Sequence, residues 1–242
     1  MIGFRRVARA AIFMSALLLM GGCSWIPGGG NRDVPEMHKK LSRTFDIQTG
    51  VVEGDLDRAK RAASWLVNRE DGMVFPPEAR PYQREFLGYA SMAARAQDLE
   101  AVASQTGYMA AACGDCHIAM ETGPRFVVGS THPEGDSREA QMIRHLWAAD
   151  RMWEGLVGPS ESSWRAGASA LAETGPALVT ALRTSTLPAR SPSSLAEEVV
   201  SVARDAMTAA TTEARAQVYG RVLTTCNGCH KAIGIMVQSE GS

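Results

Sequence analysis

The chain has 242 residues, with 25 Lys and Arg against 26 Asp and Glu, giving a net charge of −1. That balance gives no support to nucleic-acid binding. Beyond residue 22 no segment is long and apolar enough to form a transmembrane helix.

At the N-terminus Arg5, Arg6 and Arg9 precede an apolar run from Ala10 to Met20, followed by Gly21 and Gly22. This pattern predicts an export signal over residues 1–22, with an apolar stretch too short to persist as a spanning helix. The run Leu18-Leu19-Met20-Gly21-Gly22-Cys23 resembles the lipobox of bacterial lipoproteins, with Met20 where Leu is usual. That resemblance implies lipidation of Cys23, which becomes the new N-terminus; the plainer reading is a secretory signal with a stray cysteine. Acyl chains contribute about 0.8 kcal/mol per buried methylene, so several would hold the protein at a membrane surface. Ser24 in place of Asp, by resemblance to Gram-negative lipoproteins, implies the outer membrane rather than the inner one. Residues 23–33, with Gly28-Gly29-Gly30, form a flexible tether. Removing residues 1–22 takes three Arg and no acid, so the net charge of −1 becomes −4.

Residues 34–122 read as one helical unit. Met37, Leu41, Gln48, Val52 and Leu56 recur at helical spacing, with a turn near Glu53-Gly54. Ala59–Val67, Tyr82–Gln97 and Leu99–Met120 are predicted helices, separated by Pro76-Pro77 and a short polar break. Residues 123–136, rich in Gly and Pro, form a linker. Residues 137–242 form a second unit, with predicted helices at Glu139–Val157, Ser160–Thr174, Ala177–Arg183, Ser194–Ala209 and Glu213–Met236. No segment alternates as a strand. Gly50–Leu66 aligns without gaps on Gly155–Leu171 at an offset of 105, and Met37 and Leu41 fall on Met142 and Leu146. The order of elements therefore predicts a tandem duplication with an insertion between Thr174 and Ser193. The expected fold is all-α: two tandem four-helix bundles of about 100 residues each.

Each unit ends on the same pentapeptide, Cys113-Gly114-Asp115-Cys116-His117 and Cys226-Asn227-Gly228-Cys229-His230, 113 residues apart. Cys-x-x-Cys-His reads as a c-type haem attachment site. Two thiols one helical turn apart can add to the two vinyl groups of one porphyrin, and the adjacent imidazole binds iron. The competing readings are a redox dithiol or half of a zinc site. Two copies with the trailing His, in an exported chain, favour two covalently attached haem c groups. Cys113, Cys116, Cys226 and Cys229 would hold them, with His117 and His230 as iron ligands on the last helix of each bundle.

A four-helix unit with this motif near the end of its last helix resembles the class II cytochromes, cytochrome c′ and its low-spin relatives. The ending Cys226-Asn227-Gly228-Cys229-His230-Lys231 and the Val51-Val52-Glu53-Gly54 turn carry the resemblance. Tandem fusion departs from it, as do Ile233 and Gly234 where an aromatic-Arg pair often stands. The resemblance implies that the sixth ligand position lies on the first helix of each bundle. In cytochrome c′ an apolar side chain blocks that position and gases can bind; in the low-spin relatives a Met occupies it. Met37 and Met142 stand at matched positions there, and core packing is their plain alternative. His38, beside Met37, and His145, one turn from Met142, are the alternative ligands; His132 falls in the linker. Trp65, Trp147, Trp153 and Trp164 read as core or haem-wall residues. Arg125 and Lys231 read as solvated charges within reach of haem propionates.

The expected function is a dihaem lipoprotein carrying single electrons on the periplasmic side of the membrane. Its partners would be a quinol-oxidising complex and a terminal oxidase or reductase. No catalytic acid or base is evident, so the chain is not expected to be an enzyme. The alternative is a sensor or scavenger of NO or CO with an open distal site. A dihaem peroxidase is disfavoured, because that family is longer and built on class I domains.

Overall fold

The computed structural model describes residues 33–69, 75–126, 132, 134–135, 137–183 and 192–233. The export signal, the tether and Cys23 lie outside these, apart from Asp33 at the tether's end. The described residues are all-helical, with no strand among them. Eight α-helices follow in order: α1 Asp33–Glu53, α2 Leu56–Asn68, α3 Arg80–Arg95, α4 Leu99–Ala119, α5 Arg138–Val157, α6 Glu161–Arg183, α7 Pro192–Thr208 and α8 Thr212–Ile233. A 3-10 turn, Pro77–Ala79, leads into α3.

Local chemistry sets most of the boundaries. Side-chain oxygens of Asp55, Asp98, Ser137, Ser160 and Thr211 accept hydrogen bonds from backbone amides three residues on, at 2.7–3.2 Å. Each satisfies one of the amides that a helix start leaves unpaired. Gly54, at φ 82°, closes α1: its amide donates to the Val51 carbonyl at 3.2 Å, and the Asp55 amide donates to the Gly50 carbonyl at 2.8 Å. A left-handed residue after the last helical turn is what this double bond requires, and glycine adopts it without steric cost. Asp55 thus ends one helix and starts the next.

One boundary differs from the sequence expectation. Gly175-Pro176 predicts a break, yet α6 runs unbroken from Glu161 to Arg183. A proline removes one amide from the helical ladder. Here α6 packs against α5 on one side and α7 on the other, and tertiary packing commonly overrides local propensity.

Helices α1 to α4 pack in sequence, each on the next, and α5 to α8 do the same. Across these two sets α4 packs extensively on α8, α4 also meets α5, and α1 meets α8. Buried apolar residues from all eight helices form one continuous core, from Ile47, Ala63 and Phe86 through Val102 and Met109 to Trp153, Trp164, Val202 and Tyr219.

The same geometry recurs at fixed offsets. The pair α1 and α2 starts 105 positions before α5 and α6, and α4 starts 113 before α8. Gly50 lies against Ala59 as Gly155 lies against Trp164, both at the 105 offset. At the crossing of α4 and α8 the contacts are reciprocal. A Cβ on Gly107 would collide with the Ala216 carbonyl oxygen, and one on Gly220 would stand 3.0 Å from the Ala103 carbonyl oxygen. Each pair is the other shifted by 113.

These contacts are backbone on backbone, so they cannot yield by a side-chain rotation. Gly107→Ala is expected to lower stability by about 1–3 kcal/mol, as overpacking does. Gly88, mid-helix in α3, is the control, because a Cβ added there would meet nothing within 4 Å. Gly88→Ala is expected to raise stability by about 0.5–1 kcal/mol. Denaturant unfolding of both variants checks the contrast.

Candidate functional sites at the ends of α4 and α8

Both Cys-x-x-Cys-His motifs lie in the last turns of their helices, α4 and α8. At positions i, i+3 and i+4 the two thiols and the imidazole share one helix face. Cys113, Cys116, Cys226 and Cys229 are all free thiols; Cys229 is buried and the other three are partly buried. Burial, with the neighbouring thiol adding, pushes Cys113 and Cys226 up to about 12. Burial also raises Cys116 and Cys229. The four sulfurs are therefore protonated near neutral pH and poor at exchange with disulfides. Among the described residues no three His, Cys, Asp or Glu side chains converge on a point that would hold a bare metal ion. Each motif by itself supplies two thiols and one imidazole.

His117 is held on several sides. Its Nδ1 lies 2.7 Å from the Val157 carbonyl oxygen, at the end of α5. A carbonyl only accepts, so Nδ1 carries the proton and Nε2 keeps the free lone pair. Gly123, at φ 117°, sits against the ring so closely that a Cβ there would stand 2.5 Å from Cγ. Just past the imidazole α4 ends in a double bond like that of α1. The Thr122 amide donates to the His117 carbonyl at 3.0 Å, and the Glu121 amide donates to the Ile118 carbonyl at 3.1 Å. Here the left-handed residue is Glu121, at φ 49°. The start of the expected linker thus folds back on the site, and Phe126 packs on Gly158 at the α5–α6 turn.

His230 has different company. His145 of α5 lies within electrostatic reach of it, and burial, then Arg144 and His230, lower His145 to about 4. At the matched place on α1, Lys40 acts on Cys113. Met37 and Met142 lie one turn before positions 40 and 145 on α1 and α5, and both are partly buried. His38 is exposed. His132 pairs with Glu173 at 3.0 Å and stands edge-on to Trp147 at 6.1 Å. Arg125 and Lys231 are exposed.

The tryptophans divide. Trp164 is buried and its indole N–H donates to the Ala206 carbonyl at 2.9 Å. Trp153 is buried between Phe45 and Tyr219, with centroids 5.9 and 5.6 Å away. Trp65 lies under Arg43 and Arg69, and Trp147 under Arg151. Sequence reasoning does not single out Tyr219, whose hydroxyl donates to Gln48 Oε1 of α1 at 2.8 Å, nor Gly114. A Cβ on Gly114 would collide with the Leu156 carbonyl oxygen of α5. A tyrosine seven residues before Cys226, on its face of α8, is the available signal for the first. For the second it is that Gly114 stands where the other motif has Asn227, one of the two positions at which the motifs differ, the other being Asp115 against Gly228.

No helix among the described residues is long and apolar enough to cross a membrane. No protein family, curated protein or solved structure matches the chain.

Glu121 holds a conformation that costs an L-residue roughly 1–2 kcal/mol. Glu121→Gly is expected to raise stability by about 1 kcal/mol after the added unfolded-chain entropy; thermal unfolding gives the sign.

Proposed function

We propose that the chain is a dihaem c-type cytochrome built as two tandem four-helix bundles, residues 34–122 and 137–242. It would carry single electrons at the periplasmic face of a membrane, held there by lipidated Cys23. The observation that carries this reading is the pair of Cys-x-x-Cys-His motifs at matched ends of α4 and α8. The equivalent helix starts, 105 and 113 positions apart, support the duplication, and with it the resemblance to class II cytochromes.

The donor set fits a porphyrin iron. Cys113 with Cys116, and Cys226 with Cys229, are unpaired thiols one helical turn apart, as attachment to two vinyl groups needs. His117 presents Nε2 as its lone-pair nitrogen because Val157 takes the Nδ1 proton. Haem attached there would supply a one-electron Fe(III)/Fe(II) couple. Met37 and Met142 would be the sixth ligands in this reading, supported by their matched positions at the 105 offset and their partial burial. His145, for the second iron, and His38, which is exposed, are the alternative ligands. Thioether ligation raises the potential and fills the position where a gas would bind. Cys113 and Cys226 pack against the buried apolar core. The partners would be a quinol-oxidising complex on one side and an oxidase or reductase on the other.

Visible spectra of the matured protein, oxidised and reduced, with and without CO, test the reading. Two low-spin haems indifferent to CO are expected. Met37→Leu and Met142→Leu should each open one haem to CO and leave the other closed. A wild-type high-spin component that binds CO would replace electron transfer with gas binding.

A further inference from the structure

His117 and His230 occupy matched positions, yet the structure treats them differently. The bond from His117 Nδ1 to the Val157 carbonyl joins the first motif to the second half of the chain. At the 105 offset Val157 corresponds to Val52 of α1, and among the described residues no hydrogen bond joins His230 to Val52. The cause is visible in the motifs. Gly114 lets the end of α5 come so close that a Cβ would strike the Leu156 carbonyl oxygen and lie 3.5 Å from Pro159 Cγ. The matched residue of α8 is Asn227, which carries a side chain where Gly114 has none and whose buried Nδ2 finds no hydrogen-bond partner.

We propose that Gly114 is a positioning residue that makes the two irons of the dihaem reading unequal. By admitting the end of α5 it delivers the Val157 carbonyl to His117. An acceptor on Nδ1–H fixes the ring and raises the basicity of Nε2. Val157 is also among the last carbonyls of α5, which have no partner within the helix and lie at its negative end. Both effects favour the oxidised, more positive iron and lower the potential of the couple on His117. His230, without that carbonyl and facing His145, is not tuned in this way. The electron is thereby biased toward the second site, and the bias is set from across the boundary between the halves.

The inference rests on the cytochrome reading, so haem stoichiometry of the matured protein is measured first and potentiometric titration second. Two one-electron waves are expected. Gly114→Asn should raise one wave by about tenfold in its equilibrium constant, about 59 mV for one electron, and leave the other in place. The reciprocal Asn227→Gly, which frees the matched space on α8, should lower the other wave. It serves equally if Gly114→Asn does not mature. In the reduced wild-type protein, NMR should find a slowly exchanging Nδ1 proton on one axial histidine and a fast one on the other. Two haems with unmoved waves, or with equal exchange at both histidines, would overturn this inference alone. A chain that matures without haem would overturn the functional reading and this inference together.

Discussion

Everything in the fold is arranged about the crossing of α4 and α8, where glycine replaces side chain with backbone contact. Gly107 lies on the Ala216 carbonyl and Gly220 on that of Ala103. A side chain at either glycine would push the helices apart, and both motifs sit in the turns that follow, at Cys113 and Cys226. The crossing therefore fixes where both sets of thiols and imidazoles stand relative to one another. It also joins the two halves into one core, since the residues flanking it, Val102, Met109, Tyr219 and Val222, are buried with those of the remaining helices.

Around that crossing, second contacts tie each half to the other. Tyr219 of α8 reaches Gln48 of α1, and Trp153 of α5 lies between Phe45 and Tyr219. His117 of α4 reaches Val157 of α5. Dense packing makes such contacts sensitive to single methyl groups, which is why one glycine in one motif can change the company of its histidine. The two motifs carry the same donors, and the residues around them differ. Lys40 stands opposite His145, and Gly114 opposite Asn227.

Much of this is legible in the sequence because it is local. Helix starts announce themselves through Asp55, Asp98, Ser137, Ser160 and Thr211, whose oxygens reach an amide three residues away whatever the rest of the chain does. The gapless alignment of Gly50 on Gly155 marks two positions that do the same work, each taking the next helix against its Cα. The continuous α6 is not legible, because its persistence through Gly175-Pro176 depends on packing against α5 and α7 rather than on propensity. Nor is the bond from His117 to Val157, forty residues away in sequence. In the sequence Gly114 is a filler residue between two cysteines, and only the approach of α5 gives it a role.

On this account each of the two motifs holds a haem by its own pair of cysteines. The intact mass of the chain, produced with a functioning cytochrome c maturation system and exported, tests that claim most directly. The mass of the processed chain plus two porphyrins, falling by one porphyrin when Cys113 and Cys116 are replaced by Ser, is the expected result. A processed chain carrying no porphyrin, or one whose porphyrin content ignores that replacement, would contradict it.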